Sequence, residues 1–169
     1  MGGLIPGPAV IRKSEKSRVI KASDIGCGAY NSFAVDKDGN LWSWGANSYG
    51  ECGQFDNAGE DRALVLYPTL VESMQQEGSR QITHIEGGAH HTIAVTSDGE
   101  CLVWGRCDGG QTGIELSKMN KDHVITSSGS TASEVEKKDG SVETRTYKIL
   151  SHPTAIPTVG TYLNKGHDH

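Results

Sequence analysis

Ser32-Phe33-Ala34-Val35-Asp36-Lys37-Asp38-Gly39-Asn40-Leu41-Trp42-Ser43-Trp44-Gly45 returns 60 residues later as Thr92-Ile93-Ala94-Val95-Thr96-Ser97-Asp98-Gly99-Glu100-Cys101-Leu102-Val103-Trp104-Gly105. Each copy is a short β-prone run, an Asp-Gly, and a second β-prone run that ends in Trp-Gly. Asp-Gly between two such runs is a hairpin signal, because glycine accepts positive φ without a steric penalty. Extended to Ile25–Gly53 over Ile85–Gly113, the alignment has no gap, and 11 of 29 positions are identical. Average residue frequencies give roughly two.

The register continues on both sides. Val19–Ile25 and Gln81–Ile85 read as preceding strands, each running into glycines. After Trp-Gly comes a glycine-spaced loop, Asn47–Gly53 or Cys107–Gly113, and a fourth strand is expected near a proline. Pro68 is followed by Thr69-Leu70-Val71, and Pro8, 60 residues earlier, by Ala9-Val10-Ile11. Three to four short strands per 60 residues amount to one propeller blade. The fold class that follows is all-β, a partial β-propeller of two complete repeats plus flanking strands. The repeats run over about 20–79 and 80–160. Such a unit cannot bury its own faces and needs a neighbour on each side. Ala34 and Ala94 suit close sheet packing, and the tryptophans read as core between sheets.

Composition bounds the rest. Glycine is abundant, 22 of 169 residues, but placed at fixed distances from Trp, Asp and Ala rather than in low-complexity runs. The net charge of −5 argues against nucleic-acid binding by bulk charge. No apolar run approaches the ~20 residues of a membrane helix. The opening Met1-Gly2-Gly3-Leu4-Ile5-Pro6 has neither the basic start nor the apolar core of a signal peptide, so a cytosolic or nuclear setting is expected. Cys27, Cys52, Cys101 and Cys107 form no CxxC pair and are expected as buried free thiols, not metal ligands. Ile114–Tyr147 is a polar insert with few large apolar residues, expected as a mobile loop. The chain resumes at Lys148–Pro157.

Cys27-Gly28-Ala29-Tyr30-Asn31-Ser32-Phe33-Ala34-Val35, then Asp38-Gly39, then Trp44-Gly45 and the glycine loop to Gly50, resembles the repeat of the regulator of chromosome condensation family. Residues 85–113 resemble it equally well. Gly87-Gly88-Ala89-His90-His91-Thr92 is similar to a late repeat of the family's Ran guanine-nucleotide exchange factors, and Leu4-Ile5-Pro6 with Val10-Ile11-Arg12-Lys13 to the segment before it. The resemblance therefore places the chain in the second half of such a factor, of fungal type, in the nucleus. It implies a Ran-type GTPase as partner, with chromatin as a second one. It implies no cofactor, no small-molecule substrate, no membrane and no bond-making chemistry. An exchange factor binds the nucleotide-free GTPase better than the nucleotide-bound one and so weakens nucleotide affinity by linkage. Family rings close with seven blades from a chain more than twice this long. A two-repeat chain with open faces is expected to be marginally stable, to self-associate or need further blades, and to show little exchange alone.

The resemblance makes His90 the exchange-assisting residue; on local sequence it reads equally as a turn residue. His91, Tyr30, Arg106 and Asp108 lie in neighbouring loops and are candidate partner contacts. Arg12, Lys13, Lys16, Arg18 and Lys21 form a small basic cluster interrupted by Glu15, and His167-Asp168-His169 reads as a terminus. Gly26-Cys27-Gly28 and Gly109-Gly110 read as turn glycines, because no Lys-Ser/Thr follows them. No catalytic constellation stands out. The alternatives are a binding scaffold on the same repeat, for chromatin or a ubiquitin-ligase assembly, and a fragment with no independent activity. A light-sensing propeller is disfavoured by having only three tryptophans.

Overall fold

The structure, a computed structural model, describes residues 19–74, 81–127 and 133–157. The expectations for the Pro8 segment, for Arg12, Lys13, Lys16 and Arg18, and for His167-Asp168-His169 lie outside these residues. In chain order, β1 (Ala22–Cys27), β2 (Asn31–Asp36), β3 (Leu41–Ala46) and β4 (Leu64–Leu70) form one antiparallel four-stranded sheet. Then come β5 (Ile82–Gly87), β6 (His91–Thr96), β7 (Cys101–Arg106), β8 (Val124–Thr126), β9 (Ser133–Glu136), β10 (Val142–Arg145) and β11 (Lys148–Ala155). The second sheet has the order β5-β6-β7-β11-β8, and β9 and β10 pair as a separate hairpin. Single 3-10 turns at Glu72–Met74, Leu116–Lys118 and Lys121–His123 are the only helical elements among the described residues. The fold is all-β, two blades of a propeller.

The two hairpins agree residue for residue after the 60-residue shift. Ser32 pairs with Trp44 as Thr92 pairs with Trp104, and Ala34 with Trp42 as Ala94 with Leu102. The Asp36 N–H donates to the Asn40 carbonyl at 2.9 Å, and the Thr96 N–H to the Glu100 carbonyl at 3.0 Å. Three residues thus lie inside each turn, with Gly39 (φ +81°) and Gly99 (φ +87°) in the left-handed position. That is the three-residue form of the hairpin, in which glycine fills the αL site. The fourth strands match too. β4 and β11 each shift register between the same two positions, just before Pro68 and Pro153, where a residue without an N–H breaks the ladder.

The strands before the hairpins lie further along than the sequence reading had them. They run to Cys27 and Gly87 rather than ending at Ile25 and Ile85. The glycines belong to the strands because the two sheets touch there. A Cβ added at Gly87 would sit 2.5 Å from the Gly28 Cα, and one at Gly26 would overlap the Ile85 carbonyl. The backbones join directly, Ala29 N–H to the Gly88 carbonyl at 3.2 Å and Ile82 N–H to the Gly39 carbonyl at 3.0 Å.

Between the sheets lies the main core: Phe33, Val35, Leu41, Val71 and Met74 from one side, Ile82, Ile85, Ala94, Leu102 and Trp104 from the other. A second cluster covers the outer face of the second sheet, where Val103, Cys107 and Leu150 meet Ile114 and Met119, with Val124 against them. The expectation of 114–147 as a mere loop is corrected here. Its first third carries Ile114, Met119 and Val124 at spacings that close over the sheet, and β8 extends the sheet by pairing with β11. The cysteine expectation also needs correction. All four thiols are free, Cys52 and Cys107 are buried, Cys101 is half-buried, and Cys27 is exposed.

Equivalent residues differ in burial because only the second sheet has a described neighbour on its inner side. Ile85 is 0% exposed and Ile25 is 70%. Trp104 is fully buried, whereas Trp44 is only half-buried, so the core reading holds for Trp42 and Trp104 and only in part for Trp44. Truncating Trp104 to Ala should therefore cost about 3–5 kcal/mol, the range for a fully buried large aromatic. Trp44→Ala should cost less than half as much. Urea unfolding followed by circular dichroism checks this, and equal midpoints for the two variants would contradict it.

Candidate functional site

The turns joining β1 to β2 and β5 to β6, and the loops that follow β3 and β7, gather at the end of the sheets opposite the Asp-Gly turns. Backbone bonds put them there: Ala46 N–H donates to the Tyr30 carbonyl, Arg106 N–H to the His90 carbonyl, each at 2.9 Å. A close approach enforces it, since a Cβ at Gly105 would lie 2.6 Å from the His90 carbonyl oxygen. His90 thus stands on the second sheet, facing the glycine loop of the first.

That loop is built around Asn47, which is fully buried. Its side-chain oxygen accepts from the Cys52 N–H at 3.0 Å, and its amide donates to Asn57 Oδ1 at 2.7 Å and to the Gln54 carbonyl. The loop is pinned to the second sheet through one carbonyl. Glu51 O accepts from the Thr92 hydroxyl at 2.6 Å and from the Trp104 indole N–H at 3.1 Å.

Six side chains meet at this seam. The His90 ring lies 4.1 Å from the Tyr49 ring, tilted by 32°, and its Nδ1 is 3.8 Å from Glu51 Oε2. Glu51 is buried, and its Oε1 accepts from the Tyr49 N–H at 3.1 Å. Tyr147 meets Tyr49 edge to face at 5.6 Å. The Arg106 guanidinium lies 4.0 Å over Tyr147 and pairs with Asp108 at 2.7 Å, so its direction is held by an aromatic shelf and a carboxylate together. Tyr147 in turn is held by backbone contacts with the insert: its N–H donates to Ser127 Oγ, and its carbonyl accepts from the Ser127 N–H, each at 2.8 Å.

The electrostatics follow from burial. Loss of solvent pushes the Glu51 carboxyl up to about 7, against weaker lowering by the Tyr49 N–H. Burial, then the nearby Arg106 and His91, holds His90 below its ordinary value. Burial raises the Tyr49 phenol, with Tyr147 adding to it and Arg106 opposing. The arrangement offers a neutral imidazole, a fixed cation and two phenol rings. No group of three or more His, Cys, Asp or Glu among the described residues is placed to hold a metal ion.

Of the residues singled out from sequence, His90, Arg106 and Asp108 come together. Tyr30 does not: it is the 60-residue counterpart of His90 on the first sheet and is 75% exposed. His91 turns back over Gly88, where burial lowers its imidazole. Sequence reasoning missed Tyr49, Glu51 and Tyr147. Glu51 and Tyr49 sit in a loop read only for its glycines, and Tyr147 closes an insert that had no repeat partner. A second ring stack, Phe55 on His152 at 5.6 Å and His152 on His123 at 3.9 Å, was also missed.

Comparison with known proteins agrees with this architecture. The models for the regulator of chromosome condensation (RCC1) repeat match residues 38–95 and, in a second form, 22–51 and 82–111. Protein pim1 of Schizosaccharomyces pombe is 37% identical over 112 residues, which is 66% of this chain and 19% of pim1. The guanine nucleotide exchange factor SRM1 of Saccharomyces cerevisiae is 36% identical over 90 residues, 53% of this chain and 18% of SRM1. The human E3 ubiquitin-protein ligase HERC2 is 31% identical over 144 residues, 85% of this chain and 3% of HERC2. The crystal structure of Prp20p from Saccharomyces cerevisiae, described together with its binding to Gsp1p and histones, superposes with a TM-score of 0.61 at 26% identity. It covers 83% of this chain and 28% of that one. The chain thus spans no more than about a fifth of these curated relatives' length.

Burial of Glu51 makes a pH prediction. A carboxyl raised in the folded state contributes its stability in full below its unfolded value of 4.5 and loses it as pH climbs through about 7. The loss amounts to roughly 3 kcal/mol, at about 1.4 kcal/mol per pKa unit. Glu51→Gln, which cannot ionise, should therefore gain on the wild type by that amount between about pH 4.5 and pH 8. Paired urea titrations across the window measure it, and parallel stability curves would refute it.

Proposed function

Because the chain belongs to the regulator of chromosome condensation repeat family, we propose that it is part of a guanine-nucleotide exchange factor for a Ran-type GTPase. It touches that GTPase with the loop end that carries His90. The observation carrying this reading is the seam itself. The histidine that the family resemblance singles out stands in a solvent-accessible cluster with an oriented arginine, where two repeats meet. The relatedness to SRM1, an exchange factor, and to Prp20p, whose binding to Gsp1p is described, supports it.

No bond is made or broken by the factor. Side chains that fit the nucleotide-free GTPase better than the loaded one lower nucleotide affinity by the same factor, since linkage is reciprocal. A neutral His90 can meet a polar group of the GTPase without carrying a charge into the contact. Arg106, held by Asp108 and Tyr147, offers a cation with little ordering cost left to meet. His91 and Tyr30 lie toward the rim of the same end. Histones, as partners of Prp20p, support chromatin as a second contact, and the setting is then nuclear. In this reading the repeats run over about 20–79 and 80–160, with 114–147 an insert in the second.

A scaffold in a ubiquitin-ligase assembly is the second reading. It is favoured by the match to HERC2, which extends over more of the chain than the other relatives named here. One experiment separates the two. The chain is immobilised and titrated with a Ran-type GTPase, nucleotide-free or loaded with GDP. Tighter capture of the nucleotide-free form is expected, weakened about tenfold by His90→Ala and by Arg106→Ala, the size of a central contact. Acceleration of GDP release by the chain alone should be slight. Equal capture of both forms would reject the exchange reading and leave the scaffold.

A further inference from the structure

Nδ1 of His90 is buried and has no hydrogen-bond partner, although the ring as a whole is 31% exposed. Nε2 is not among the buried unpartnered atoms, so it is the nitrogen left to face outward. The polar atom facing Nδ1 is Glu51 Oε2, 3.8 Å away, on a side chain only 5% exposed. That separation is too long for a hydrogen bond, and a side-chain shift of about 1 Å would bring it into range. The other Glu51 oxygen is already committed to the Tyr49 N–H. A buried imidazole nitrogen without a partner is costly, and the inward carboxyl is the group placed to satisfy it.

We propose that Glu51 is a positioning residue that sets the tautomer of His90, and so decides whether Nε2 offers a partner a hydrogen-bond acceptor or a donor. An ionised Glu51 can only accept. It then holds the proton on Nδ1 and leaves Nε2 as a bare acceptor, suited to a partner's ammonium, guanidinium or amide N–H. A protonated Glu51 donates to Nδ1, the ring proton moves to Nε2, and the outward face becomes a donor suited to a carbonyl or carboxylate. One proton on Glu51 enters or leaves, and His90 stays neutral in both states.

The surroundings agree with this pairing. The charged and titratable groups facing the pair are Tyr49 and the buried Cys52 thiol on the first sheet's loop, His91, Arg106 and Asp108 on the second sheet, and Tyr147 at the end of the insert. Burial, then Arg106 and His91, oppose a charge on His90. No lysine or arginine pairs with the Glu51 carboxylate among the described residues, and burial leaves its proton poised near neutrality. The proposal adds a polarity rule to the exchange surface and rests on that surface for its use. The tautomer itself is a property of the free chain.

Long-range nitrogen–proton NMR on the ¹⁵N-labelled full chain tests it. From about pH 6 to pH 8, the two His90 nitrogen signals should move in opposite directions, Nε2 from pyrrole-like to pyridine-like, with a midpoint near 7. Simple protonation of the ring would instead bring the two signals together at a shared imidazolium position, whereas a tautomer change makes them exchange places. In Glu51→Gln the oxygen stays on the Tyr49 N–H, the new amide faces Nδ1 as a donor, and Nε2 should remain pyrrole-like throughout. The Trp104 indole signal, which reports the bond to Glu51 O, verifies that the variant is folded. A fixed tautomer in the wild type would overturn the proposal, and so would an identical change in the variant. The wild-type titration alone decides if the variant does not fold. A tautomer change in a chain that captures no GTPase would sink the exchange reading and leave this one standing.

Discussion

A single backbone oxygen pins the glycine loop of the first sheet to the second sheet. The Glu51 carbonyl accepts from a threonine hydroxyl and a tryptophan indole of the next sheet, and both donors are buried. Buried donors without an acceptor are costly, so the glycine loop cannot drift from the second sheet without leaving two of them unpaired. That constraint places the Glu51 side chain against His90, the Tyr49 ring against the same imidazole, and Val71 in the core beside Trp104. Core and candidate site are therefore built by the same contact. A substitution that frees this loop disturbs both.

The repeat made most of the fold legible. Period, Asp-Gly and Trp-Gly located both hairpins, because each marks a local conformation: a left-handed turn residue, or a strand end where backbone passes close to backbone. What stayed hidden depends on contact between units. Gly26 and Gly87 read as strand terminators, yet they lie in strands, since only the absence of a Cβ lets the two sheets meet. Trp44 and Trp104 are the same residue at the same register and differ in burial. No local pattern distinguishes them, because the difference lies in what stands opposite.

The candidate site was legible on one side of the seam only. His90, Arg106 and Asp108 belong to one repeat and could be proposed from resemblance and position. Glu51 and Tyr49 belong to the other, and Tyr147 to an insert outside the pattern. The insert shows why polarity alone misleads. Three apolar residues, Ile114, Met119 and Val124, are enough to fasten its start over the second sheet, and Ser127 then fixes the backbone of Tyr147 beneath Arg106. A segment departing from the repeat thereby supplies a wall of the site.

The two turns that correspond in the repeat show how such a surface acquires function. Tyr30 and His90 occupy the same turn position, and each has its carbonyl bound by the residue after Trp-Gly. Tyr30 is exposed, and no loop of the described residues crosses it. His90 has the neighbouring repeat's carboxyl, phenol and backbone around it: the burial lowers its basicity, Arg106 and His91 of its own repeat add to that, and the Tyr49 ring lies against one face. The repeat provides the position and the neighbour provides the chemistry. A blade of this kind can therefore keep its backbone while the residues at each seam diverge, because the hydrogen bonds that hold the seam run largely through main-chain atoms and leave the loop side chains free to change.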